Sequence, residues 1–562
     1  MKKVFAILLV LGFVLPLLAA CSTEKDDDDW IGELRDKRTR DGAMLYVQEH
    51  RIKKAVPVLL DLIKKRYGTL KAVHTLGIIG DPVAVPILIE EIKGVAKKDS
   101  MEHDRMTEQI AMSLGLIGSA SAVDTLLWTA ENAGEMGRAG AVQALGMIGD
   151  PRATQKLIQV VMDGNEKLLI RHYATIALGL IKAKEAADAL AYALFVDDES
   201  GANLFRDGQL SLLQINGEEA KAALLKAYEL KNEDINKLAQ TINLKPEWIQ
   251  IKAINVMGQM RDGRYADFLM GEFEKGAKNE IVYELQAKVM QALSMTPLGK
   301  EQLSRLTDFF LKAPPSTEFL NEREIISQVF IRQNYADRLD DVMKVAESGD
   351  LTLKNVEGKP TPFSQWCFAA ANVVSLLGDH TMADRFDAFV KEGKCKADIF
   401  GQPKKTPELL AEFNERMQTA KECGTDMNCY VGKLKSDRWP VVEKSIMALS
   451  STGDKKYMDS ILPVMGFNNE QVRQTTEYAV RKLATPEHLP RLIRFWIDQK
   501  VAKEYQKITE NIGYLIAIHM RDWNYDSPEK RNQVYDEAEK IAGRRSQGKG
   551  AVEAELSTDK GL

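Results

Sequence analysis

A five-residue phrase returns four times in the first third of this chain, and its spacing fixes what the chain can fold into. It reads Leu76-Gly77-Ile78-Ile79-Gly80, then Leu114-Gly115-Leu116-Ile117-Gly118, Leu145-Gly146-Met147-Ile148-Gly149 and Leu178-Gly179-Leu180-Ile181-Lys182. After each phrase, apolar residues recur at one fixed set of offsets. They are Val85, Leu88, Ile89 and Ile92 in the first repeat and Val123, Leu126, Leu127 and Ala130 in the second. Thr154, Leu157, Ile158 and Val161 follow in the third, and Ala187, Leu190, Ala191 and Leu194 in the fourth. That i, i+3, i+4, i+7 stripe is one buried face of a helix. A unit of this size cannot bury such a face alone, so successive units must stack on one another.

The junction inside each unit has its own chemistry. Gly80 can take the left-handed conformation that ends a helix, Asp81 can cap the next one, and Pro82 suits a first helical position. Each repeat is therefore helix, tight turn, helix. Gly77 and Gly146, just before the turn, are expected to let the two helices of a pair approach closely. The Leu-Gly-x-Ile-Gly-Asp-Pro-x-Ala wording resembles HEAT-like repeats of the variety first associated with bilin lyases, most closely over residues 70–195. The resemblance implies an all-α superhelical solenoid. It implies no bilin lyase activity, because repeat type does not carry function.

The pattern continues at Asn216 and, after an insertion around 231–246, at Arg261; weaker units centre near Thr296 and Asn334, and the wording returns at Gly378-Asp379, Gly453-Asp454 and Thr485-Pro486. The count is about eleven antiparallel helix pairs. They divide into a solenoid over 41–345, a Gly-, Pro- and Lys-containing linker at 346–362, and a second helical segment at 363–542. The polar, glycine-containing tail at 543–562 reads as disordered.

The start of the chain speaks to location. Lys2 and Lys3 precede an apolar run from Val4 to Leu18, which ends on Leu18-Ala19-Ala20-Cys21. Basic, apolar, then small residues is the order of a secretory signal, and the run is short for a membrane span of about 20 residues. Its end resembles the lipobox of bacterial lipoproteins. This resemblance implies cleavage after residue 20, acylation of Cys21 and a lipid-anchored protein of the cell envelope. Ser22, at the position that sorts enteric lipoproteins, points to the outer membrane. Residues 21–40 open with Asp26-Asp27-Asp28-Asp29 and read as an acidic flexible tether.

The formal charge is −5, becoming −7 once Lys2 and Lys3 leave with the signal. That argues against a nucleic-acid partner, which needs a basic face. Four cysteines remain beyond Cys21, an even number that suits disulfides in an oxidising compartment. The helical register pairs Cys367 with Cys395 across an antiparallel hairpin, and Cys423 with Cys429 across a short turn. No Cys-x-x-Cys supports a zinc or redox site.

The seven histidines do not recur at repeat spacing, and no nucleophile elbow, phosphate loop or His-Glu-x-x-His is present. No cofactor, metal or catalytic residue is expected. The leading expectation is a non-enzymatic scaffold that holds protein partners. The alternatives are an assembly factor for outer-membrane components, or an enzyme with its site in the irregular stretch 277–357.

Overall fold

The computed structural model describes residues 25–502, except 68, 199, 279, 318, 356 and 399–404, together with part of 515–538. Cys21, the signal segment and the 543–562 tail lie outside the described residues. The chain divides into two compact units, one reaching Leu157 and one running from Ile158 to Ala542.

The expected turn chemistry appears at atomic level. Gly80, Gly118 and Gly149 have φ of 72°, 77° and 76°, the left-handed region that a glycine enters without strain. The Asp81 carboxylate accepts from the amide of Val83, and Asp150, Asp262, Asp379 and Asp454 accept from the amide two residues on in the same way. What the aspartate caps is a single 3₁₀ turn, Pro82–Ala84 in the first case, from which the second helix continues. Lys182, Arg261 and Asn334 hold the glycine position with φ of 58°, 48° and 51°, at a cost of about 1 kcal/mol each.

Thirteen helix pairs follow one another among the described residues. Two lack the sequence wording. Arg40–Glu49 turns at Arg51 (φ 49°) into Val56–Lys64, and Lys405–Cys423 turns at Gly424 into Met427–Lys433. The insertion forms an extra helix, Glu233–Thr241, capped by Asn232.

The acidic tether is corrected from Asp26 onward. Asp26 and Asp29 make reciprocal caps on a helix, Asp27–Glu33, and three aspartates sit in its first turn, where the helix dipole favours negative charge. Trp30 stacks on Tyr46 at 4.6 Å, and Ile31 and Leu34 are buried. The linker is corrected as well. Residues 351–354 (β1) and 360–363 (β2) pair as an antiparallel hairpin, and the helices on either side, Leu339–Ser348 and Gln365–Leu377, pack directly on each other. The stack is not interrupted there.

The repeated glycine has a different partner from the expected one. A Cβ built on Gly77 would lie 2.9 Å from Ser113 Cα, on the first helix of the next pair. Gly115 meets Ala144 Cα at 2.8 Å, Gly179 meets Ser211 Cα at 2.8 Å and Gly258 meets Ala292 Cα at 2.7 Å. The glycine therefore sets the spacing between successive layers, whose first helices lie side by side.

Candidate functional site

In the second unit the first helices of successive pairs stack in chain order from Pro246–Met260 to Glu470–Leu483. The stack curls far enough for its ends to meet. Arg261 Nη2 lies 2.6 Å from Glu477 Oε1, and Arg481 donates to the carbonyl oxygens of Arg261 (3.0 Å) and Met295 (3.3 Å). Within this curve lies a partly open cavity of about 130 Å³. At roughly 10–15 Å³ per water, it has room for about ten waters or one small organic molecule.

Helical periodicity delivers its lining. Leu320–Gln333 contributes Gln328, Ile331 and Arg332, and Gln365–Leu377 contributes Asn372 and Leu376. Arg416 comes from Lys405–Cys423, Glu443 and Met447 from Trp439–Ser451, and Gln471, Gln474, Thr475 and Tyr478 from the last helix. Each set is spaced by three or four residues, so it shares one helix face.

A charged network underlies the cavity. Arg416 is 1% exposed. Its Nη2 pairs with Glu443 Oε2 at 2.5 Å, and its Nη1 donates to Asn372 Oδ1 (2.8 Å) and Ser375 Oγ (2.9 Å). The rings of Phe413 and Trp439 lie 4.2 and 5.1 Å from the guanidinium. Glu443 Oε1 accepts from Thr475 Oγ1 at 3.0 Å. Behind it, buried Lys444 donates to three carbonyls that end Gln365–Leu377, those of Ser375 (3.1 Å), Leu376 (2.9 Å) and Gly378 (2.5 Å). Burial, and then Arg416, push the Lys444 ammonium down to about 7. Burial also lowers the Arg332 guanidinium and pushes the Tyr478 hydroxyl up to about 12. Glu443 is the one carboxylate of the lining, and it is engaged by Arg416. The lining therefore offers guanidinium, amide and hydroxyl donors rather than an acid–base pair.

The structure joins Cys367 to Cys395 and Cys423 to Cys429. Asp350 lies within 4.8 Å of the first pair's sulfurs. Its carboxylate accepts from Ser364 Oγ and from the amides of Lys396 (2.9 Å) and Ala397 (3.1 Å), so it ties the hairpin to the following helices. The 28-residue separation of Cys367 and Cys395 makes this bond the larger stabiliser. Changing both to serine is expected to cost about 3.5 kcal/mol in the loop-entropy estimate, measured by urea unfolding under non-reducing conditions.

The irregular stretch 277–357 contributes Gln328, Ile331 and Arg332 to the cavity. It also holds a buried pair, Glu322 with Arg323 (3.3 Å), in which Glu322 accepts from Gln286 Nε2. Burial pushes the Glu322 carboxyl from 4.5 up to about 7. The folded chain thus keeps this proton to higher pH than the unfolded chain, and stability is lost as pH rises from about 4.5 through about 7. Glu322→Gln retains the acceptor, while Arg323 keeps the carbonyls of Phe319 and Lys312. It should remove roughly 2–3 kcal/mol of that loss, read as the difference in unfolding free energy between pH 5 and pH 8.

No histidine lines the cavity. His172 Nδ1 pairs with Asp207 at 2.7 Å, His488 Nδ1 accepts from the Thr485 amide, and burial pushes His519 down to about 4. The sequence did not reveal Arg332, Arg416, Glu443 or Tyr478 as a site. The available signal was Glu443-Lys444 within an otherwise apolar helix.

The HEAT-repeat family matches residues 100–170. No curated protein matches the chain. Among solved structures it is similar to a crystal structure of mutant Kap121p, at 12% identity and a TM-score of 0.31, covering 92% of this chain and 64% of that one. It is likewise similar to the karyopherin Kap121p bound to the SUMO protease Ulp1p, at 12% identity and a TM-score of 0.29, covering 94% and 65%. The chain thus spans just under two thirds of the length of these structures.

Proposed function

We propose that this protein is a lipid-anchored scaffold of the bacterial cell envelope, which holds a protein partner against the concave side of its second unit. The observation that carries this reading is the polar interior formed where the stacked first helices curl until Glu477 meets Arg261. Extended repeat stacks expose long continuous surfaces of this kind. Acylated Cys21 would hold the body at the membrane, and Ser22 favours the outer one.

The test is in-cell photo-crosslinking from the interior and from the outside of the same unit. A photo-crosslinker replacing exposed Gln471 should give discrete protein adducts, and one replacing exposed Glu301, on the outer helix Lys300–Phe310, should not. Equal labelling from both positions, or none from either, would count against the scaffold. Cys21→Ala is expected to leave the membrane fraction while retaining both disulfides. If that variant stays with the membrane, the anchor is elsewhere.

A further inference from the structure

We propose that the interior cavity of the second unit is a carboxylate-binding site, with Arg332 as the residue that grips the ligand. The ligand is a short organic acid, or the side-chain carboxylate of an acidic residue on a bound protein. This goes beyond the scaffold reading and can fail while that reading stands.

Charge is the first reason. Arg332, Arg416 and Lys444 surround the cavity or lie directly behind it, and Glu443 is the one carboxylate among the lining residues. Glu477, beside Tyr478, pairs with Arg261 at 2.6 Å and also attracts the Arg332 guanidinium at longer range, while Glu324, two turns from Arg332 on its own helix, is exposed. With Arg261 paired to Glu477 and Arg416 to Glu443, the Arg332 guanidinium is the half-buried lining charge left over, and an entering anion would balance it. The buried Nε of Arg416 has no acceptor, another donor left in want of negative charge.

The second reason is the difference between the two guanidiniums. Arg416 has both terminal nitrogens committed to Glu443, Asn372 and Ser375. Among the described residues, Arg332 makes one hydrogen bond, from Nη1 to Ser294 Oγ at 3.3 Å. Four of its five N–H groups remain for a ligand, and a guanidinium presents them in a planar fork that matches a carboxylate. Arg332 binds, and Arg416 is a positioning residue that pairs with Glu443 and offsets its negative charge in the lining.

Size and lining narrow the chemistry. A cavity of about 130 Å³ suits an acid of a few carbons and is well below the ~300 Å³ where cofactor-sized pockets begin. Ile331, Leu376 and Met447 offer apolar wall for a short carbon chain, while Gln328, Gln474 and Tyr478 offer donors. A guanidinium fork takes phosphate as readily as carboxylate, but the extra amide donors of a free helix N-terminus are not on offer here. The start of Glu470–Leu483, which carries the lining residue Gln471, is already capped by Asn469, which accepts from the amides of Gln471 and Val472.

The experiment is titration calorimetry on the full chain with succinate, the tripeptide Ac-Ala-Asp-Ala-NH₂, neutral succinamide and inorganic phosphate. Binding of succinate, of the tripeptide or of both supports the site, and the stronger of the two identifies the source of the carboxylate. Arg332→Gln is expected to weaken that binding at least tenfold. Gln474→Glu, at an exposed position, exchanges a hydrogen bond to Glu470 for a weakly destabilising like-charge contact on the same helix, and should weaken binding in the same way. Glu301→Gln on the outer helix should leave it unchanged. Failure of both acids to bind, succinamide binding as well as succinate, phosphate binding more tightly than either acid, or full affinity in Gln474→Glu would each overturn the proposal.

Discussion

Replacing Glu443 by glutamine is expected to destabilise the second unit by about 3–5 kcal/mol, the cost of stranding a buried charge. Glu443 is the carboxylate that faces Arg416, and Lys444 is its direct chain neighbour. Glutamine has the same shape and can still accept from Thr475 Oγ1, so the change removes charge and little else. What remains is two buried cations with no anion between them. The loss should show as a lower urea midpoint followed through the fluorescence of Trp439, whose ring lies beside Arg416.

The deficit should also depend on pH. In the unfolded chain Lys444 keeps its proton to about 10.5, and in the folded chain only to about 7. The unfolded state holds more protons between those values, so wild-type stability rises with pH across that window. At pH 9 Lys444 is neutral in folded wild type and variant alike, and only the Arg416 charge is left uncompensated. Glu443→Gln should therefore cost less at pH 9 than at pH 6. Pairing Glu443→Leu with Arg416→Met should recover most of the loss, because apolar residues of similar volume can replace a buried ion pair without penalty. A deficit below 1 kcal/mol at every pH would mean that water solvates this network.

What the sequence revealed depends on whether the code is local. The Gly80-Asp81-Pro82 turn is legible because glycine, aspartate and proline act within three residues of one another. The turn at Arg51 was not, since a non-glycine residue occupies the left-handed position and no Asp-Pro follows it. The aspartates at 26–29 repel one another as a coil but stabilise the start of a helix. Trp30, Ile31 and Leu34 decide between the two outcomes by packing against residues further along the chain. The cavity is illegible for a related reason. Arg332 and Tyr478 are 146 positions apart, and only the curl of the stack brings their helices together. Periodicity marks a buried face without saying whether that face is apolar core or polar interior. Glu443-Lys444, between Val442 and Ile446, is the one place where the sequence hints that it is the latter.

Gly258 shows how a legible residue can carry an unexpected load, and Gly258→Val is expected to cost about 4 kcal/mol. A Cβ at this position would stand 2.7 Å from Ala292 Cα, 2.8 Å from Ala292 Cβ and 2.9 Å from Met295 Cε. Ordinary contact begins near 3.4 Å, so the helices Pro246–Met260 and Tyr283–Met295 must separate along their whole shared length. Overpacking of this kind typically costs 1–3 kcal/mol. The improved helix propensity of valine returns only about 0.5 kcal/mol. The remainder comes from the closure, because Arg481 bonds the carbonyls of Arg261 and Met295, just beyond the end of one displaced helix and on the last residue of the other. Gly258→Ala should fall between wild type and valine, since it adds the clash without the branching. Gly271→Ala is the control: it sits in the helix Ala266–Ala277 with nothing within 4 Å of a new Cβ. There the propensity gain of up to about 1 kcal/mol should be all that is seen. If Gly258→Val and Gly271→Ala shift the urea midpoint alike, the layer spacing is not set by this glycine and the closure does not depend on it.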